Sequence, residues 1–312
     1  MGGGRFDTHD WAKTRSNYSY SAKPTVDHIY TSRDMNPALD PKSITIRESR
    51  DSDANPQSTA LIVGLDVTGS MGMVLDVMAR QSLGTLVEEI YNRKPISDPH
   101  VMVMGIGDCE CDRAPLQVTQ FEAENQPLVT QMESIFLERG GGGNHHESYA
   151  AAWLFAAMKT SIDCFEKRGK RGYLFTVGDE GPTPKLFGQH IRGFLGLNET
   201  GDMDGRAILE KAQMTYDVFH VMVEEGSHFR QYGDRVRREW TEILGERAIS
   251  LRDHEKLAEV VVSAIQVAEG AAHDDVVKSW SGDTSLVVAD AIKNVNAVAK
   301  VGGTAGAGHK LY

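Results

Sequence analysis

From Thr59 onward, short apolar runs alternate with stretches whose apolar residues recur at three- and four-residue spacing. Brief continuous runs rich in Val, Ile and Leu suit strands covered on both faces, and the intervening period suits the helices that cover them. Residues 60–66, 101–106, 173–177 and 218–223 are predicted buried strands, with a last short one at 248–251. Residues 116–120 alternate more regularly and are reached by a loop instead of a helix, so they are predicted to add antiparallel at the sheet edge. Helices are predicted over 73–91, through Val74, Met78, Leu83, Leu86 and Ile90, and over 145–167, 230–244 and 255–269. The expected fold is α/β: a Rossmann-like, doubly wound, mainly parallel sheet of about six strands with one antiparallel edge strand and helices on both faces.

The flanks differ. Residues 1–57 are rich in Ser, Asp, Asn, Arg and Pro, with short extended pieces such as Ser43-Ile44-Thr45-Ile46, and read as a polar N-terminal arm. After Gly270 the chain becomes more polar, with one helical pattern over 283–301 and a Gly-rich end from Gly302 to Gly308. The expected division is an arm at 1–57, a domain at 58–270 and a tail at 271–312. Within the domain, residues 149–158 hold no charge but include Trp153, Leu154 and Phe155, which predicts a helix buried on more than one side with its aromatics in the core.

Charge and cysteine usage narrow the function classes. Lys plus Arg number 33 against 44 Asp plus Glu, a formal charge of −11, and no basic block tracks a phosphate backbone. Nucleic acid is therefore not an expected partner. The negative field attracts cations and repels an acidic partner unless a metal or a local basic patch offsets it. Cys109, Cys111 and Cys164 are odd in number and two are near neighbours, which fits a reducing compartment. No apolar run is long enough to span a membrane and the first residues lack the apolar core of a signal peptide, so a cytoplasmic protein is expected. Phe6 stands where a myristoylation motif beginning at Gly2 wants Ser or Thr.

In open α/β sheets, ligands bind where loops converge at the carboxyl ends of strands. Asp66-Val67-Thr68-Gly69-Ser70 follows the first predicted strand and places a carboxylate and two hydroxyls at alternate positions of a turn. Gly140–Gly143 with Asn144-His145-His146-Glu147 precedes a helix, and Gly178-Asp179-Glu180-Gly181 follows a central strand. Over about residues 58–270 the chain resembles the von Willebrand factor A (vWA) family. The metal-ion-dependent adhesion site of that family uses Asp-x-Ser/Thr-x-Ser, a Thr or Asp from a later loop, and an Asp after the fourth strand. Asp66, Thr68 and Ser70 match the first element and Asp179 the last. Gly141-Gly142-Gly143-Asn144 with Glu147 is similar to the subgroup reading Gly-Gly-Gly-Asp-x-Pro-Glu, with neutral Asn144 at the usual anionic or hydroxyl position. Asn144 and Glu147 also have the spacing of a capping box, so ligand and helix cap both remain open for Asn144.

The resemblance implies a Mg²⁺ or Mn²⁺ ion held by Asp66, Thr68, Ser70, Asn144 and Asp179, with an open position that an exposed Asp or Glu of a protein partner fills. It implies a non-enzymatic interaction module of the intracellular bacterial or phage type, serving as adaptor beside an AAA+ ATPase of the MoxR type. Other readings compete. A structural subunit of a larger assembly would dock through the terminal arms. A Mg-dependent phosphoryl-transfer enzyme would use Asp66 as nucleophile, but Thr68 replaces the acid/base carboxylate that haloacid-dehalogenase-like phosphatases carry two residues on. Neither a phosphate-binding Gly-x-x-x-x-Gly-Lys-Ser/Thr loop nor a Gly-x-Ser-x-Gly elbow occurs. His145, His146 and Glu147 lack the His-Glu-x-x-His spacing of zinc hydrolases, and Cys109 and Cys111 lack a second Cys or His pair nearby in sequence.

Overall fold

The computed structural model describes residues 4–6, 32–71, 82–138, 144–198 and 201–297. Strands and helices are numbered separately in chain order. The chain enters through a 3-10 turn, Pro37–Leu39, and a three-residue strand, β1 (Arg47–Ser49). Strands β2 (Thr59–Asp66) and β3 (Pro99–Ile106) then run parallel in an unbroken register from Thr59↔Pro99 to Asp66↔Ile106. β4 (Leu116–Val118) turns back antiparallel on β3. After the short β5 (Thr160–Ile162), β6 (Gly172–Gly178) pairs parallel with the free side of β2. A small antiparallel ribbon follows, β7 (Lys185–Leu186) with β8 (Met203–Asp204). β9 (Tyr216–Val223) and β10 (Ala248–Leu251) complete the sheet, whose order is β10-β9-β6-β2-β3-β4. This is the expected vWA-like α/β sheet of six strands, parallel except for its edge pair.

The strands were legible because both sheet faces are covered. Leu61, Val63 and Leu65 of β2 point into one core and Ala60 and Ile62 into the other, the period of two that a pleated strand imposes. The first core is closed by α1 (Leu83–Arg93) and α2 (Asn125–Glu133), together with three helices late in the chain. The second is closed by α3 (Tyr149–Lys159), then, past the single turn α4 (Asp163–Glu166), by α5 (Gly188–Leu195), α6 (Gly205–Gln213) and α7 (Ser227–Leu244). The late helices are α8 (Leu257–Ala268), α9 (His273–Lys278) and α10 (Gly282–Ile292). α3 is buried as its uncharged sequence predicts, with Trp153, Leu154 and Phe155 at most 1% exposed.

Three helix predictions differ in extent. The N-terminal part of the helix expected over 73–91 lies outside the described residues, and its described remainder is α1. The helix expected over 145–167 is interrupted. His145 sits at φ 67°, a left-handed conformation that no α-helix continues, and His146 forms a bridge with Gly181. At the other end the β-branched pair Thr160 and Ile162 leaves the helix to run parallel with β1, in register Arg47↔Thr160 to Ser49↔Ile162. The pattern expected over 283–301 stops at Ile292, where the chain turns so that Val295 enters the first core; residues 298–301 lie outside the described set.

The described residues before β2 lie against the domain. Lys159, 6% exposed, donates through Nζ to the carbonyls of Pro41 and Ile44, each at 2.7 Å. Arg50 donates to Asp163 at 2.8 Å and Glu166 at 2.7 Å, while Asp163 accepts from the Asp51 amide at 2.8 Å. Leu39 and Phe6 are buried in the first core and Ile44 in the second.

Candidate metal centre

Because β2 and β6 are neighbours in parallel register, Leu65 opposite Val177, their ends deliver Asp66 and Asp179 to adjoining points. Asp66 is fully buried. Its Oδ1 accepts from the Thr68 amide at 2.9 Å and the Thr68 hydroxyl at 2.6 Å, and its Oδ2 accepts from the Tyr149 hydroxyl at 3.3 Å. Asp179 is also fully buried, and its Oδ2 accepts from the His228 amide in the first turn of α7 at 2.9 Å. Ser70 lies in the 3-10 turn Gly69–Met71; its side chain is outside the described set.

Two glycines make this approach sterically feasible. A Cβ on Gly178 would stand 1.9 Å from the Tyr149 hydroxyl and 3.1 Å from Asp66 Cβ, and one on Gly226 would stand 2.2 Å from Asp179 Oδ2. Trp240 of α7 donates its indole N–H to the Glu180 carbonyl at 2.9 Å and stacks on His220 with centroids 3.5 Å apart, pinning the Asp179 turn to that helix.

The third loop is built differently from the family pattern. Asn144 donates its side-chain amide to Asp108 Oδ2 at 2.6 Å, so it braces the loop after β3, and because α3 begins at Tyr149 it does not cap that helix. Ser148 fastens the same junction, donating its amide to the Gly107 carbonyl at 3.0 Å and accepting the Cys109 amide at 2.8 Å. Glu147, which the sequence did not mark as a metal ligand of this site, is 1% exposed, and its Oε2 has no hydrogen-bond partner. Its position in the Gly-Gly-Gly-Asn-x-x-Glu run was a visible signal; its burial was not.

The electrostatics at Asp66 and Glu147 are dominated by burial and by neighbouring carboxylates. Burial, then the charge of Asp179, pushes the Asp66 carboxyl up, and the two Thr68 bonds only partly offset this. Glu147 is pushed up by burial and then by Asp66, Glu180 and Asp108. Burial and Asp179 raise Glu180 to about 7. The charges acting on Asp66 and Glu147 are carboxylates, with no Lys or Arg among the leading ones. Burying unpaired anions costs several kcal/mol each, and a hard divalent cation is the group that would offset this with oxygen ligands. The residues fit such an ion. Among the described residues, only Glu225, Asp253 and His254 bring three His, Cys or carboxylate ligand atoms within 4.8 Å of one another. Glu225 Oε2 there already accepts the His254 amide and contacts its Nδ1, at 2.8 and 2.6 Å. Asp66, Asp179 and Glu147 do not form such a trio, so an ion there would have to take hydroxyl and water oxygens for part of its shell. Neither His145-His146-Glu147 nor Asp108-Cys109-Cys111 forms a trio of that kind.

No protein-family model matches the sequence, and no curated protein matches it. Among solved structures, the pilus adhesin SpaC from Lactobacillus rhamnosus GG in its open conformation aligns with a TM-score of 0.43 at 10% identity, over 70% of this chain and 31% of that one. A second crystal form of SpaC aligns with a TM-score of 0.44 at 10% identity, over 71% and 32%. The chain thus spans about a third of the adhesin's length. Sheet order and strand-end loops together describe a vWA-like α/β protein, and none of the described helices is long and apolar enough to cross a membrane.

Proposed function

We propose that the protein is a metal-dependent interaction module that grips a carboxylate of a protein partner. The observation that carries the reading is the fully buried Asp66 together with the buried Glu147 and its unpartnered oxygen, where the leading neighbouring charges are other carboxylates, Asp179 among them. Asp66, Thr68, Ser70 and Asp179 would hold Mg²⁺ or Mn²⁺, with Glu147 supplying the negative charge that Asn144 does not. The ion would supply an electrophilic position for a partner's Asp or Glu, in a charge-assisted contact that overcomes repulsion between acidic surfaces. This chain's residues would orient the ligands: Tyr149 and Thr68 fix both oxygens of Asp66, and the His228 amide fixes one oxygen of Asp179.

The reading is non-catalytic. Thr68 donates its hydroxyl to Asp66, which fits a ligand-orienting role better than attack by Asp66 on a substrate. The partner class is a protein with an exposed acidic side chain, for which a MoxR-type AAA+ ATPase is the family-level candidate. Calorimetry with Mg²⁺ and Mn²⁺ on wild type and Asp66→Ala, with pull-downs in the presence and absence of chelator, tests this. Metal binding lost in Asp66→Ala and partner capture lost on chelation are expected. Unchanged affinity in the variant, or turnover of phosphate esters that vanishes in Asp66→Asn while capture persists, would overturn it.

A further inference from the structure

Beside the candidate metal centre, α7 runs against the acidic balance of the chain. Residues 227–238 carry Arg230, Arg235, Arg237 and Arg238 against one carboxylate, Asp234, in a protein of formal charge −11. Arg237 is half-buried and tied to Glu224 at 2.9 Å, and Arg235 reaches Glu239 at 2.7 Å while remaining 46% exposed. Arg230 and Arg238 are exposed and have no ion pair among the described residues. Tyr232 breaks the helix with φ −125° and ψ 19°, so the arginines fall on either side of a kink.

The placement is continuous with the metal centre. The His228 amide touches Asp179; one turn on, the Tyr232 ring packs 4.8 Å from those of His228 and His145; one turn further stands Arg235. Arg235 lines two hollows. One, of about 600 Å³, is bordered by Tyr232 and by Arg230, Arg235, Arg237 and Arg238, against the carboxylates Glu224 and Asp234. The other, of about 450 Å³, is bordered by His145, His146 and Arg206 but also by the carboxylates Asp204, Glu239 and Glu242, so the basic surface lies on the first hollow. Guanidinium groups flanking an aromatic step complement the charge of an acidic chain, and their planar forks pair with carboxylates.

We infer that the kinked start of α7 is the docking surface for an acidic peptide segment of the partner, whose first carboxylate meets the metal and whose following ones pair with Arg235 and Arg238. This rests on the cation reading of the adjoining centre, and it answers how a protein of this charge attracts an acidic partner at all. Steering by the arginines acts before the metal contact forms and is screened by salt.

Fluorescence anisotropy with the full chain tests it. The probes are a short labelled peptide rich in Glu and Asp, its Gln and Asn counterpart, and a single-stranded oligonucleotide, each in Mg²⁺ and in chelator. The acidic peptide is expected to bind in Mg²⁺, its amide counterpart not. Arg235→Glu with Arg238→Glu should weaken it about tenfold or more, with metal affinity unchanged. The neutral pair Arg235→Gln with Arg238→Gln should fall between, which keeps the result readable if charge reversal disturbs the fold. Equal affinity in the charge-reversed and wild-type proteins, tighter binding of the oligonucleotide, or no peptide binding in any condition overturns the inference. If chelator leaves peptide affinity and its arginine dependence intact, the cation reading fails and the docking surface stands. If chelation abolishes binding while the arginine variants bind normally, the docking surface fails and the cation reading stands.

Discussion

Asp66→Asn separates an electrostatic site from a merely structural one, because the two accounts give opposite signs. The amide preserves shape: its oxygen still accepts from the Thr68 amide and hydroxyl, now at 2.9 and 2.6 Å, and its nitrogen can donate to Tyr149, whose hydroxyl now lies 3.3 Å away. Only the charge is removed, from a fully buried side chain whose carboxyl is already pushed up by burial and by Asp179. Two full charges about 4 Å apart repel by about 4 kcal/mol at an effective dielectric of about 20. Partial protonation of the pair reduces this to a net relief of about 1–3 kcal/mol in chelator. For a domain of this size that raises the melting temperature by about 2–10 °C. Excess metal reverses the ranking. Wild type gains about 4.1 kcal/mol when free metal is about 1,000 times the dissociation constant, and the variant gains almost nothing. Differential scanning calorimetry of both proteins, in chelator and in Mg²⁺ or Mn²⁺, reads all four states. A variant less stable than wild type in chelator that still rises with added metal would refute the reasoning.

Glu147→Gln is expected to raise stability in chelator and to weaken Mn²⁺ binding by about tenfold or more in calorimetry, whereas Asn144→Asp places a second carboxylate against Asp108 and is expected to destabilise by about 1–2 kcal/mol without tightening the metal. Lys159→Met removes the donor shared by the Pro41 and Ile44 carbonyls; a loss of about 1–3 kcal/mol and faster proteolysis around residues 37–46 are expected. The Arg50–Asp163 cluster gives a pH dependence. Bonds from Lys167, Asp51 and Arg50 hold the Asp163 carboxyl below its usual range despite burial, so its stabilisation is complete above the ordinary aspartate pKa of about 4. That stabilisation drains away as pH falls through the lowered folded value, and Asp163→Asn should flatten this part of an acid-unfolding curve.

The sheet could be read from sequence because its central strands are largely apolar runs buried on both faces, and its edge strand β4 keeps a short alternation. What could not be read depends on partners distant in the chain. β1 and β5 have three residues each, and Arg47 finds Thr160 only once the fold has formed. α5 and α6 were not predicted although α6 carries its own signals, with Asp204 capping the amides of Arg206 and Ala207 and Ile208, Leu209 and Ala212 facing inward. Eight or nine residues behind a glycine give too little period to see. At the candidate centre, Asp66, Thr68 and Asp179 were legible because short motifs end strands. The parting of Asn144 from Glu147 was not, since it depends on Asp108 arriving from the loop after β3.

The close fit around Gly178 and Gly226 sets rules for anyone varying these loops to select new binding partners. Alanine, the smallest possible enlargement, already places a carbon about 2 Å from the Tyr149 hydroxyl at one position and from the Asp179 carboxylate at the other. A combinatorial library that randomises both turns would therefore be populated mostly by variants in which the two aspartates have been forced apart. Diversity belongs instead on the rim, at His145, His146, Gln231 and Arg238, with glycine held constant at 178 and 226.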